Sequence, residues 1–172
     1  MTIRRETEKD FPEIYDLVKI AFQTAKVSNG KEQDFVVKLR NSEDYIPELA
    51  LVAEDEAGKL IGHIMLTKTY IFNDSTKFET LLLAPLSVAL EYRNRGIGSA
   101  LVKESFRLAK DLGYKSVILV GDPAYYTRFG FKPSINFNIK NNENIPDEYV
   151  MACELVPNAL QGISGTIEFM RA

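Results

Sequence analysis

The chain has 172 residues, 45% of them apolar, which is enough to bury one continuous core without disulfides or structural metals. Its formal charge of −3 and its isoelectric point near 5.3 argue against nucleic acid as the main partner, because phosphate backbones select basic faces. No apolar run is long enough to span a bilayer, no cationic apolar leader precedes the first strand, and Cys153, the single cysteine, cannot form an internal disulfide; a cytoplasmic protein with no membrane partner is expected.

Residues 2–6 predict a short first strand. Asp10, Pro12 and Glu13 then have the spacing of a capping box, with Asp10 serving early helix amides and Glu13 reaching back. Ile14, Leu17, Val18, Ala21 and Phe22 form one apolar stripe for a first helix. After the break at Ser28-Asn29-Gly30, residues 32–40 predict a second helix with Phe35, Val36 and Leu39 on one side. Residues 49–54 and 59–72 read as antiparallel strands joined by the turn at 55–58.

The stretch LLLAPLSVALEYRNRGIGSALVKESFRLAKDLG, residues 81–113, is the most informative. Residues 81–90 carry too little polarity to face water and predict a buried strand. Pro85 cannot donate a ladder hydrogen bond, so a bulge is expected beside it. Gly96-Ile97-Gly98 opens a helix carrying Ile97, Leu101, Leu108 and Leu112 at helical spacing, and Gly113 stands at its end. The free N–H groups and the dipole at such a helix start suit a phosphate, and Arg93 and Arg95 add charge beside it. Neither a Gly-x-x-x-x-Gly-Lys-Ser/Thr loop nor the third glycine of a dinucleotide fingerprint is present. Further on, residues 116–120 predict a fifth strand, 125–129 a short helix, and 131–139 and 149–156 late strands separated by a polar loop at 141–147. Strands alternating with helices, mixed with antiparallel hairpins, favour an α/β fold with a mixed sheet.

Arg93-x-x-Gly96-x-Gly98 after a strand resembles the pyrophosphate loop of the GNAT superfamily of N-acetyltransferases. Tyr125-Tyr126-Thr127-Arg128-Phe129-Gly130-Phe131 is similar to a second segment of the same family, and LAPLSV with GDPAYYTRFGF resembles one of its bacterial branches. The resemblance implies a mostly antiparallel central sheet flanked by helices, with a bulged and splayed fourth strand, in a single domain over residues 1–172. It implies acetyl-CoA as co-substrate, bound through Leu86, Val88, Arg93, Arg95, Gly96, Ile97, Gly98 and Ser99, with no metal. The expected reaction is direct attack of a primary amine, on a small molecule or peptide, upon the thioester.

Within that reading the Val88 N–H is the expected oxyanion donor and Tyr126 the expected acid for the departing thiolate. Tyr125 competes for that role, because residues 121–124 make a shorter connection than the family's. The base stays open among His63, Glu79 and water, since Leu82 stands where some relatives place a glutamate. Each residue also has a structural reading: Tyr126 as a packed aromatic, His63 as a core histidine, the arginines as solvated turn charges. An acyl-CoA-binding sensor without turnover is the alternative function. A homodimer and a monomer both remain open, since a late strand can pair across a dimer or be covered internally.

Overall fold

The computed structural model describes residues 1–169, and the chain divides into two compact units. One comprises Met1–Thr67 and Leu83–Leu108; the other comprises Lys68–Leu82 and the chain from Ala109 onward. In chain order the elements are β1 (Thr2–Arg5), α1 (Phe11–Phe22), α2 (Glu32–Arg40), β2 (Ala50–Glu54), β3 (Leu60–Asn73), β4 (Thr76–Val88) and α3 (Ile97–Asp111). β5 (Ser116–Val120), α4 (Pro123–Tyr126), β6 (Lys132–Pro133), β7 (Ile139–Asn141), β8 (Val150–Glu154) and β9 (Gly165–Ile167) follow. The expected mixed, mostly antiparallel sheet with flanking helices is present: among the registered strand pairs, only β4 with β5 and β7 with β9 run parallel. No described helix is long and apolar enough to cross a membrane.

In the first unit the strand order is β1-β2-β3-β4. α1 buries Ile14, Val18 and Ala21, and α2 buries Val36 and Leu39, following their apolar periodicity. On β3, a side chain at Gly62 would lie 2.8 Å from Leu101 and 3.1 Å from Ile97 of α3. Strand alternation therefore turns His63 to the opposite face, where α2 supplies Arg40. His63 is fully buried, with Nε2 2.9 Å from Glu6 Oε1. The same carboxylate accepts from Arg40 Nε at 2.8 Å, Arg40 Nη2 at 3.1 Å and the Tyr45 hydroxyl at 2.8 Å.

Several local expectations change. Asp10 does not cap α1; its carboxylate accepts from Thr7 N at 2.8 Å and pairs with Arg4, while Glu13 accepts from Leu60 N at 2.8 Å. The box therefore closes one turn earlier, because Arg4 draws Asp10 back toward β1. Leu112 is 45% exposed beyond the end of α3, whose buried positions include Ile97, Leu101, Val102, Ser105 and Ala109. Gly113 takes the left-handed conformation expected of it, and the Tyr114 N–H closes on Ala109 O at 3.0 Å. β4 begins at Thr76, pairing earlier with β3 than the apolar run suggests, and runs unbroken through Pro85, whose peptide bond to Ala84 is cis. The register shift observed between β2 and β3 lies at Ala53/Glu54.

In the second unit β5 pairs with β4 at Leu81↔Val117 and Leu82↔Ile118 and with β8 from Ser116↔Glu154 to Val120↔Val150. Thr80 and Ser116 share a buried hydrogen bond of 2.7 Å beside that short parallel ladder. The single late strand expected over residues 131–139 is instead β6, a tight turn at Ser134–Phe137 and β7. Ser134 Oγ donates to Ile139 O at 2.9 Å and Asn138 takes a left-handed φ of 61°, which closes the turn and ends the extended run.

Glu6 holds the polar part of the first unit together. Burial alone would raise its carboxyl pKa, but hydrogen bonds from His63, Arg40 and Tyr45 outweigh it and pull the value from 4.5 to about 2. A depressed carboxyl stabilises the fold fully above its unfolded value, and that contribution is lost as pH falls from 4.5 toward about 2. Glu6→Gln leaves Arg40 buried without its counter-charge and is expected to cost about 3–5 kcal/mol in urea denaturation at neutral pH, with the difference from wild type shrinking as the pH approaches that acidic window.

Candidate functional site

The open backbone of the first unit begins at the end of β4. Ala89 N donates to Ile61 O at 2.9 Å, so the donors of β4 in register with it point toward β3. Alternation turns the N–H groups of Leu86 and Val88 to the other edge, and the registered pairing of β4 with β5 ends at Leu82. Leu86 and Val88 are half-buried. Their amides therefore stand at a sheet edge as donors fixed in direction by the neighbouring ladder.

A short turn at Leu90–Tyr92 leads to Gly96, whose φ of +82° is a left-handed conformation costly for a residue with a Cβ. Gly96 O accepts from Ala100 N at 3.0 Å, which makes Gly96 the cap of α3 and leaves the amides of Ile97, Gly98 and Ser99 in its first turn. Among the described backbone hydrogen bonds, none uses the N–H of Gly96, Ile97, Gly98 or Ser99. The α3 dipole adds about half a positive charge at that end. Main-chain donors arranged in this way suit an anion.

The two arginines differ. Arg93 is turned to the end of α1, where it donates to Ala21 O at 2.7 Å and Thr24 Oγ1 at 3.1 Å. Arg95 is exposed, with its guanidinium 5.3 Å from the Tyr92 ring centre. Arg95, Ile97 and Tyr92 also line an open recess of about 520 Å³ with Asp55 on its rim. Lys103, Arg107 and Lys110 lie on the wet face of α3, as expected.

Within the second unit, Asp122 caps α4 by accepting from Ala124 N at 3.0 Å, and Pro123 fits the first helical position. That short helix carries both tyrosines. Tyr126 packs into the unit: a Cβ on Gly121 would lie 2.6 Å from its ring, and its centroid is 5.9 Å from that of Phe131. Tyr125 crosses it edge-on at 5.0 Å and is covered by the Arg128 guanidinium 4.4 Å from its ring centre. Burial, reinforced by Tyr125 and Asp122, pushes the Tyr126 phenol up, so it stays protonated through the neutral range. No hydrogen bond to its hydroxyl appears among the described residues.

The remaining candidates separate clearly. Glu79 is exposed on β4, whereas Leu82 is buried. The Cys153 thiol lies 3.6 Å from Phe129 O, and burial, with Glu154 nearby, raises it to about 11, which keeps it an unreactive thiol at neutral pH. Among the described residues no group of three or more His, Cys, Asp or Glu side chains could hold a metal ion. The partners of Glu6 and the engagement of Arg93 were missed from sequence; they join residues far apart in the chain and leave no periodic signal.

Comparison with known proteins identifies the family. The family model described as acetyltransferase (GNAT) domain matches residues 2–134. The uncharacterised N-acetyltransferase YhbS of Escherichia coli K12 is 30% identical over 169 residues, covering 98% of this chain and 96% of that protein. The crystal structure of E. coli YhbS in complex with CoA superposes with a TM-score of 0.86 at 28% identity, over 97% of this chain and 88% of that one. A GNAT acetyltransferase from Brucella melitensis, solved with acetyl-CoA, gives 0.73 at 29% identity over 91% and 88%. With this family match across most of its length, the chain belongs to the GNAT family of acetyltransferases.

Proposed function

We propose that the protein transfers the acetyl group of acetyl-CoA to a primary amine by direct attack of the amine on the thioester. The observation that carries this reading is the set of unengaged amides from Gly96 to Ser99 at the start of α3. Such donors suit the diphosphate of a CoA carrier, and the neighbours solved with CoA and acetyl-CoA support the assignment. Arg95 adds an exposed positive charge, while Arg93 braces the loop against α1. The outward amides of Leu86 and Val88 offer strand-like hydrogen bonds to the carrier's pantetheine amides.

The chemistry then needs three groups. As the amine nitrogen bonds to the carbonyl carbon, negative charge grows on the carbonyl oxygen, and the Val88 N–H is a preorganised donor for it. When the carbon–sulfur bond breaks, the thiolate takes the Tyr126 proton, which the raised phenol pKa keeps in place beforehand. Tyr125, covered by Arg128, is the less suitable donor. Attack itself requires the amine to lose a proton. The acceptor is a small-molecule or peptide amine.

Two outcomes test the reading. Arg95→Glu is expected to weaken acetyl-CoA binding about tenfold by calorimetry at low ionic strength, with the loss shrinking in high salt because the side chain is exposed. Tyr126→Phe is expected to lower turnover across a panel of primary amines by roughly one to three decades, overlapping the general acid range, with acetyl-CoA affinity unchanged. Saturable acetyl-CoA binding by the wild type with no acetylated amine across the panel would instead favour a carrier-binding sensor.

A further inference from the structure

Only Gly121 and Asp122 separate β5 from α4, all of them in the second unit. Gly121 extends the pairing with the β8 side by donating to Tyr149 O at 2.9 Å, and Asp122 is already the cap of α4. Counted from that cap, Pro123 is the first helical residue, Tyr125 the third and Tyr126 the fourth. In a helix entered this way, the residue before the cap commonly packs an apolar side chain against the fourth helical residue, a contact that fixes the angle at which the chain arrives. Here Gly121 has no side chain to give, and the Tyr126 ring lies against its backbone instead.

The backbone does not call for glycine at this position. Gly121 is buried, and its φ lies outside the left-handed region that only glycine enters freely. What excludes a larger residue is the ring: a Cβ here would lie 2.6 Å from Tyr126 Cε2, 3.0 Å from its Cδ2 and 3.1 Å from Leu119 Cδ1. Carbon atoms rest about 3.5–4.0 Å apart, so an added methyl group requires the Tyr126 ring to retreat by about 1 Å. Little room remains for that, since the ring centres of Tyr125, Phe131 and Phe129 already stand 5.0, 5.9 and 6.4 Å from its own. A glycine in strand register often marks such a close approach.

We propose that Gly121 is a positioning residue that decides which of the two adjacent tyrosines serves as the acid; this rests on the acetyl-transfer reading above. Tyr126 rests on the glycine and is bounded by three rings, whereas Tyr125 is half-buried beneath the Arg128 guanidinium. Among the described residues the Tyr126 hydroxyl has no hydrogen-bond partner, so its place is set by packing alone. Gly121 is the part of that packing that any side chain would abolish, and it acts only through the ring. In the step it serves, the Tyr126 O–H bond breaks as the S–H bond forms, and the phenolate recovers its proton from water. A misplacement of about 1 Å is enough to cost such a step up to about 100-fold in rate.

Two measurements decide this. In the wild-type protein, cross-relaxation between the Gly121 α-protons and the Tyr126 ring protons is expected, and its absence overturns the proposal. Thiol release from acetyl-CoA with butylamine as acceptor supplies the kinetic arm. Gly121→Ala is expected to lower kcat about 10- to 100-fold with acetyl-CoA affinity and the KM for butylamine unchanged. In a Tyr126→Phe background it is expected to cost nothing further, because the proton it would misplace is already gone. A Gly121→Ala protein with wild-type kcat, or one whose loss multiplies with that of Tyr126→Phe, overturns the positioning role while leaving acetyl transfer intact. If Gly121→Ala instead loses acetyl-CoA binding through misfolding, adding Tyr126→Leu, which removes the ring the methyl group meets, is expected to restore it; binding that stays lost overturns the proposal. A wild type that binds acetyl-CoA and releases no thiol overturns the transfer reading itself, and with it the role assigned to Gly121.

Discussion

The constraint on which the site depends is that a β-strand has two edges and alternate donors serve each. At the end of β4 the hydrogen bond from Ala89 to Ile61 commits one set of donors to β3. The amides of Leu86 and Val88 are thereby aimed the other way, beyond the last registered pair with β5 at Leu82. No side chain is needed to hold them there. The same chain then turns at Gly96 into α3, whose first amides are unengaged for the separate reason that a helix has no earlier turn to supply carbonyls. Two different shortages of acceptors, one at a sheet edge and one at a helix start, fall within a few residues of each other.

Rigidity beneath those donors comes from the first unit's core. Gly62 admits Leu101 and Ile97 against one face of β3, which seats the start of α3 on the sheet. The opposite face carries His63 against Glu6, with Arg40 and Tyr45 completing the carboxylate's partners. Buried ionic groups are not the least costly way to fill a core, since desolvation offsets much of the Coulomb attraction. Here Arg40, Tyr45 and His63 all converge on the carboxylate, so the buried charge of Glu6 is met by hydrogen bonds on both of its oxygens.

Sequence reading recovers what local periodicity encodes. α2 and β5 emerge with the bounds expected from their apolar spacing, and the strand, turn and helix around Gly96 stand where the motif placed them. What is lost arises from contacts between distant residues. Asp10 has the spacing of a cap for α1, yet Arg4 draws it elsewhere. Arg93 has the position of a phosphate ligand, yet a carbonyl of α1 takes its guanidinium. β9 is three residues long, too short for any alternation to register.

The central claim is that main-chain amides from Gly96 to Ser99 grip the diphosphate of CoA. Backbone proton–nitrogen spectra recorded during a CoA titration test it most directly. The amide protons of Gly96, Ile97, Gly98 and Ser99 should move downfield together and saturate with the binding isotherm, as charge-assisted hydrogen bonds form. Saturable binding that leaves those four resonances in place would contradict the account.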